Sequence, residues 1–227
     1  MSESAYVRLM RERPELFADG GDGAFALLLD PASVAAAEAA EAARLTNGGQ
    51  PGERARTGVV YEDEYLMLVR DAVRFPSGRL GTYVRVVPTE VTPGVAVLPV
   101  LDEEVVLLRH FRHATRTWHW EIPRGFGSAG NDGAANARKE LAEELGADAT
   151  ELTYLGPFHP NTGVSSETVE LFLARVDQIG TLERDEGIAE VRTLSTAAVR
   201  GLIVTGELTD SFTIAAYLRA HLRGLLD

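Results

Sequence analysis

Residues 125–146 read GFGSAGNDGAANARKELAEELG. The second half of this stretch puts Glu140, Glu143 and Glu144 within five residues, just ahead of Gly146. Like charges one turn apart cost an isolated helix roughly 0.2–0.5 kcal/mol per pair. On a helix Glu140 and Glu144 fall roughly 40° apart, and Glu143 about 60° to the other side, so the three carboxylates share one narrow face. Leu141 and Leu145 fall on an adjacent face that can bury the helix. Gly146 suits the left-handed position that stops it. The first half of the stretch is too glycine-rich to hold a shape alone. Glycine lets backbone approach a ligand closely, and successive N–H groups can form a concavity for an anion.

An acidic helix face taken alone is ordinary solvated surface. The loop before it changes the reading. Clustered carboxylates are hard oxygen ligands that suit Mg2+ or Mn2+, ions that take a few carboxylates and complete their shell with water and substrate phosphate. A loop able to hold phosphate, running into a helix able to hold metal, points to metal-assisted attack on a phosphoanhydride.

The rest of the composition narrows the class. With 227 residues the chain suits one large domain, or a domain of about 150 residues with an extension. Its hydrophobic content of 45% is that of a globular protein. No apolar run approaches the roughly 18 residues of a membrane span. The first residues, MSESAYVRLMRERPELF, lack the apolar core of a secretory signal. Cysteine is absent, which excludes disulfides and thiolate metal sites. A cytoplasmic enzyme with no membrane partner is expected. The formal net charge of −12 disfavours nucleic acid as a partner. It also means that an anionic substrate is repelled at long range, so something local must reverse the sign. Lys139 is the only lysine among the basic residues, which reads as a codon preference for arginine.

Along the chain, residues 4–16 read as a short helix and DPASVAAAEAAEAARL (30–45) as a second, opened by Asp30 as N-cap with Pro31 behind it. TNGGQPGERARTG (46–58) is rich in Gly, Pro and polar residues and reads as a linker, so a boundary is expected there: a helical extension over 1–57 and a main domain over 58–227. Beyond it VVY, YLMLVR, TYVRVV, VAVLPVL and VVLLRHF are short β-branched runs, with PSGR (76–79) and LDEE (101–104) as hairpin turns. WHWEIP (118–123) is a further strand ended by Pro123. After the helix at about 134–145, LTYLGPF and TVELFLARV are strands, followed by helices at about 195–204 and 209–225. Strands dominate around one central helix, so the class is α+β, or mixed α/β.

The stretch from Gly125 to Ala147 resembles the box of the Nudix hydrolase family: G, five residues, E, seven residues, R-E, an aliphatic residue, any residue, E-E, any residue, G, then an aliphatic-like residue. Gly125, Glu140, Leu141, Glu143, Glu144 and Gly146 fall on their positions. Asn131 stands where the pattern has glutamate and Lys139 where it has arginine, and Ala147 is a weak match to the last position. Asn131 and Lys139 can still hydrogen-bond, without the planar fork of arginine. The resemblance runs over most of 58–227. HFRHATRTWHWEIPRG resembles the stretch before the box in ADP-ribose pyrophosphatases and their nucleotide-sugar relatives: Phe111 and Arg112 match a glutamine-aromatic-arginine strand in which His110 replaces glutamine, and Glu121, Ile122, Pro123 and Gly125 match an E-[LI]-P-A-G segment in which Arg124 replaces alanine. HPNTGVSSETVELFLA (159–174) resembles the loop after the box, with Pro160, Gly163, Ser165 and Glu167 on pattern. Thr162 stands where a proline accompanies ADP-ribose specificity.

The resemblance implies a Nudix α/β/α sandwich with a mixed sheet, a helical N-terminal extension, and a homodimer. It implies Mg2+ or Mn2+ held by Glu140, Glu143, Glu144 and the backbone carbonyl of Arg124. It also implies Glu143, Glu144 and Glu167 as catalytic residues, with Glu167 orienting or deprotonating the attacking water. Arg112, Glu121, Arg124 and Gly125 are the substrate-binding candidates. The implied reaction is hydrolysis of the pyrophosphate of a nucleoside diphosphate linked to another moiety, ADP-ribose or a nucleotide sugar, yielding a nucleoside monophosphate and a sugar phosphate. Two alternatives stand beside it: a nucleoside triphosphate pyrophosphohydrolase, and a non-catalytic nucleotide sensor on the same fold. Trp118 and Trp120 can stack a base or pack the core.

Overall fold

The computed structural model describes residues 4–181 and 187–226. The chain divides into two compact units, Met1–Thr89 with Asn161–Ser166, and Glu90–Pro160 with Glu167–Asp227.

In the first unit, α1 (Ala5–Glu12) starts at Ser4, whose hydroxyl accepts from the Val7 amide, and runs into a short 3-10 turn at Pro14–Phe17. After the two-residue strand β1 (Ala26–Leu27) comes α2 (Pro31–Asn47), capped by Asp30 on the Ser33 amide with Pro31 in the first turn, as the sequence predicts. Three strands follow, β2 (Gly58–Glu62), β3 (Leu66–Arg74) and β4 (Leu80–Pro88). They pair antiparallel, and β1 also joins β3. The texture of the sequence changes at residue 58, whereas the units part at Thr89 and Glu90, because these strands make their own sheet with β1. The Gly- and Pro-rich stretch read as a linker is packed rather than loose. It holds a 3-10 turn at Gly52–Ala55 with Ala55 buried, and Glu38 on α2 accepts from the Thr57 amide and hydroxyl.

In the second unit, β5 (Gly94–Leu101) and β6 (Glu104–Arg112) form a hairpin whose two turn residues, Asp102 and Glu103, have φ of 48° and 65°. That is the turn that LDEE predicts. β7 (Thr117–Glu121) and β8 (Arg124–Gly125) lead to α3 (Gly133–Leu145); β9 (Ala149–Phe158), β10 (Val169–Val176) and β11 (Ile188–Leu194) come next, then α4 (Thr196–Thr205) and α5 (Ser211–Leu222). The sheet runs β11-β6-β5-β10-β9, with β5 and β10 parallel and the other pairs antiparallel. This is the mixed sheet the resemblance implies. β11 has no counterpart in the sequence reading, which goes from TVELFLARV directly to helices. It is an edge strand whose residues after Ile188 are all at least partly exposed, so IAEVRTL carries no apolar run to announce it.

The central strands are buried on both faces. Ala96, Leu98 and Val100 of β5, with Leu107 and Leu171, pack with Val199, Phe212, Ala216 and Tyr217 of α4 and α5 on one side. Val95 and Val97, with Val106, Leu108 and Phe172, pack with Ala137, Leu141 and Leu145 of α3 on the other. Double burial explains why VAVLPVL and VVLLRHF read as unbroken apolar runs rather than alternating ones. The result is a helix–sheet–helix sandwich. No helix among the described residues is long and apolar enough to cross a membrane.

Candidate active site

β5 and β6 pair only beside their turn, at Val100 with Val105 and Leu101 with Glu104. Beyond it they separate, and residues 117–125 fill the gap, β7 against β6 and β8 against β5. Val97 N–H donates to the Pro123 carbonyl at 2.9 Å in the same gap. The inserted segment is also tied to α5. Ile122 N–H donates to Thr213 Oγ1 (3.1 Å), whose hydroxyl donates to Asp210 Oδ2 (2.7 Å). Asp210 is itself the α5 N-cap, accepting from the Thr213 amide. This chain of bonds sets where Arg124 and Gly125 stand.

Glu121, only 1% exposed, is the hub of one wall. His110 Nδ1 lies 2.9 Å from its Oε1; Arg112 reaches both oxygens, at 2.5 and 3.1 Å; Arg124 reaches Oε2 at 3.4 Å. Burial by itself would raise the Glu121 pKa. The hydrogen bonds from His110 and Arg112, with the charges of Arg112 and Arg124, outweigh it and hold the carboxyl below its usual range. Arg124 also lies 3.7 Å from Asp210 and stacks over the Phe212 ring at 4.4 Å. Both guanidiniums are thus oriented before any substrate arrives.

The opposite chemistry comes from α3. Asp132 caps it on the Ala135 amide, and Gly146 ends it with φ 58°. A Cβ on Gly146 would come within 2.8 Å of the Thr181 amide nitrogen, so glycine is required there twice over. Leu141 and Leu145 are fully buried, as the spacing predicts. Glu144 is 2% exposed and Glu140 7%, while the side chain of Glu143 stands 49% exposed. The Glu140 carboxylate occupies the space that a Cβ on Gly125 would need, which explains the glycine at that point. Lys139 Nζ lies 3.1 Å from Glu143 and 3.7 Å from Glu140, and the Glu143 hydrogen bond leads the effects that raise its pKa. Asn131 Nδ2 donates to Asn136 Oδ1 at 3.3 Å, rather than Asn131 Oδ1 accepting from Lys139. The expected Asn131–Lys139 bond is replaced by two separate contacts, because the ammonium lies among carboxylates.

Glu167 is half-buried, and burial pushes its carboxyl above the usual range, with the Arg124 charge pulling the other way. Its main-chain carbonyl lies 3.1 Å from His159 Nδ1. A cavity of about 450 Å³ brings the predicted residues together: Arg112, Arg124 and Lys139 supply cations to its lining, and Glu140, Glu143 and Glu167 supply carboxylates. Gly125 is also on this lining; Glu121 and Glu144 are not, one lying behind the arginines and the other in the helix base. Neither tryptophan lines the cavity. Trp120 packs against the core beneath Arg192, and Trp118 is an exposed surface ring near Arg109. Sequence reasoning missed Phe126, Phe212 and Lys139 as lining residues. Phe126 and Lys139 both lie inside the box, and of the three only Lys139 stands at a position the pattern specifies.

The donor set fits a hard divalent cation in kind: carboxylate oxygens on the cavity wall, and a glycine whose missing side chain leaves room for one of them. Among the described residues no three His, Asp or Glu side chains converge closely enough to cage a cation as they stand. The ammonium of Lys139 sits between Glu140 and Glu143 as a tethered stand-in for positive charge.

Residues 90–211 match the family model for the NUDIX domain. The chain is similar to an ADP-ribose pyrophosphatase of Mycobacterium tuberculosis, 30% identical over 176 residues that span 74% of this chain and 80% of that protein. A CMP-5'-(N-acetyl-N-hydroxy-3-aminopropyl)phosphonate hydrolase of Streptomyces rubellomurinus is 27% identical over 172 residues, 74% of this chain and 79% of its own. The crystal structure of an ADP compounds hydrolase superposes with a TM-score of 0.64 over 75% of this chain and 93% of that one, at 20% identity, a likeness of fold.

Proposed function

The chain belongs to the Nudix hydrolase family of pyrophosphohydrolases, and from that premise we propose that it cleaves the pyrophosphate of a nucleoside diphosphate linked to a second moiety, ADP-ribose or a nucleotide sugar. The observation that carries this reading is the mixed cavity lining: Arg112 and Arg124, already oriented by Glu121, beside the carboxylates of Glu140, Glu143 and Glu167. A relative named for ADP-ribose and another named for a CMP-linked phosphonate support a nucleoside monophosphate half joined to something else, with the base left to the substrate.

In this reading Arg112 and Arg124 pair with the phosphate oxygens; a guanidinium can do so bidentately. They reverse locally the repulsion of a chain with net charge −12. Glu140, Glu143 and Glu144, with the backbone carbonyl of Arg124, would hold Mg2+ or Mn2+, which would supply positive charge toward the substrate's phosphates and acidity toward water. Glu167 accepts the proton of the attacking water, and its raised pKa moves it toward the range where a base works near neutral pH. The water oxygen bonds to one phosphorus as the bridging P–O bond breaks, and the bridging oxygen leaves with the other phosphate. The support for a homodimer is the resemblance alone, and sedimentation velocity tests it.

Incubation with ADP-ribose, a nucleotide sugar, a CMP-linked compound and a nucleoside triphosphate, each with Mg2+ or Mn2+, tests the reading by chromatography of the products. ADP-ribose is expected to give AMP and ribose 5-phosphate, and a chelator to stop the reaction. Release of inorganic pyrophosphate from the triphosphate, with the linked diphosphates intact, would replace this reading by the triphosphate one.

A further inference from the structure

We propose that the first unit carries a binding site of its own, for the phosphate group of a small molecule. A cavity of about 560 Å³ is lined by Glu53 and Arg54 of the 3-10 turn, Arg56 just beyond it, Val59 and Val60 of β2, and Arg70 of β3. All of these residues belong to the first unit, and none lines the cavity described above. A volume of this size suits a small-molecule ligand. The lining offers three guanidiniums against one carboxylate. Among the described residues none of the three makes an ion pair, whereas Arg8, Arg44 and Arg85 of the same unit pair with Glu62, Glu41 and Asp71. The carboxylates of α2 are engaged elsewhere: Glu38 accepts from the Thr57 amide and hydroxyl, and both oxygens of Glu41 accept from Arg44.

Two of the guanidiniums are oriented by neutral acceptors, which fix direction without cancelling charge. Arg70 Nη1 donates to the Arg56 carbonyl at 3.1 Å, and Arg54 Nη1 to Gln50 Oε1 at 2.8 Å. The backbone that carries them is held: Ala55 is buried, and the next residues are tied to α2 through Thr57. Gly58 stands opposite Arg70 in the β2–β3 register, and a Cβ there would meet nothing within 4 Å, so the space beside that pair is open. Like charges gathered on one concavity repel, and an anion bound among them relieves the repulsion. The planar fork of a guanidinium matches phosphate oxygens two at a time. Val59 and the exposed Val60 leave an apolar wall for the body that carries the phosphate. A net charge of −12 repels a nucleic acid polymer, which leaves a small phosphorylated molecule or free phosphate as the occupant.

The test titrates the full chain, without divalent metal, with inorganic phosphate, pyrophosphate and AMP, followed by amide chemical shifts and calorimetry. Shifts at residues 53–60 and 70 are expected. Binding of inorganic phosphate as tight as that of AMP marks a site for the free anion, and tighter binding of AMP a site for a nucleotide. Arg56→Gln removes a side chain that makes no bond among the described residues, so the fold should be untouched while binding weakens roughly tenfold. Arg54→Gln combined with Arg56→Gln should weaken it roughly a hundredfold. Glu53→Gln removes the one carboxylate of the lining and should tighten binding by up to about fivefold, a gain that shrinks as ionic strength rises. Arg124→Gln, on the other cavity, should leave the shifts at 53–60 and 70 in place. Shifts confined to residues 124–128 and 139–143 would overturn the site. So would an affinity unchanged in the double arginine variant, or weaker binding in Glu53→Gln.

Discussion

Two charged clusters line the same cavity and are built on opposite plans. Around Glu121 one carboxylate, 1% exposed, gathers His110, Arg112 and Arg124. On α3 one ammonium, 43% exposed, is shared by Glu140 and the outward-reaching Glu143. The first cluster is dry, multiply bonded and rigid. The second is wet at Lys139 and Glu143, while Glu140 is 7% exposed and tucked into the space at Gly125. On the proposed function the difference follows from what each would meet. Arginines that receive a phosphate work best when their geometry is set in advance, so that little entropy is lost on binding. A carboxylate that receives a cation needs freedom to rotate onto it, and its exposed contact with Lys139 leaves Glu143 that freedom.

The largest expected effect breaks the dry cluster. Glu121→Ala leaves two guanidiniums beside a vacated buried site, and removing one partner of a buried pair costs about 3–5 kcal/mol. Urea denaturation should show that loss in the midpoint, and a loss under about 1 kcal/mol would mean the cluster is solvated after all. The pH dependence has a definite sign. Because the folded pKa of Glu121 is depressed, its contribution is complete above the ordinary carboxylate value and is lost as pH falls through the lower folded value. Glu121→Gln should therefore flatten the acid limb of the stability curve, and leave its shape at neutral pH unchanged.

Next in size is Glu144→Gln. The side chain is buried and the replacement is isosteric, so the fold should survive, while kcat falls by at least about a hundredfold, as for loss of a major electrostatic contributor. Circular dichroism with a parallel turnover assay checks both halves. Smaller again is Arg124→Ala. On the proposed function it removes one charge-assisted contact to substrate, worth about 1.5–3 kcal/mol, so KM should rise roughly 10- to 100-fold. If KM stays put and only stability drops, Arg124 serves Glu121 and Asp210 rather than the substrate.

The two clusters were also unequally legible in the sequence. The acidic one could be read from local spacing: Asp132, Leu141, Leu145 and Gly146 announce a capped, one-sided helix, and the carboxylates follow from its period. The central strands could be read because both faces are buried. The hub could be read only residue by residue, as matches to a pattern. That Glu121 is the common partner of His110, Arg112 and Arg124 depends on how β7 and β8 fill the space between β5 and β6. The ties from Ile122 and Arg124 to the start of α5 join residues far apart in the chain, and no periodicity encodes them.

The smallest effect tests the wet cluster most sharply. Lys139 holds Glu143 at 3.1 Å and Glu140 at 3.7 Å, yet ammonium and carboxylate are both near half exposed at the shorter contact. Exposed pairs of this kind are worth about 0.2–1 kcal/mol, because water and salt screen them and two flexible side chains lose entropy. A cation arriving at these oxygens must displace the ammonium, so that energy is subtracted from its binding. Lys139→Gln should therefore tighten Mn2+ binding, measured by electron paramagnetic resonance without substrate, by no more than about fivefold. The gain should shrink as ionic strength rises. A weaker Mn2+ affinity in the variant would reverse the picture. The ammonium would then be orienting Glu140 and Glu143 for the metal rather than standing in its place, and the wet cluster would be preorganised as the dry one is.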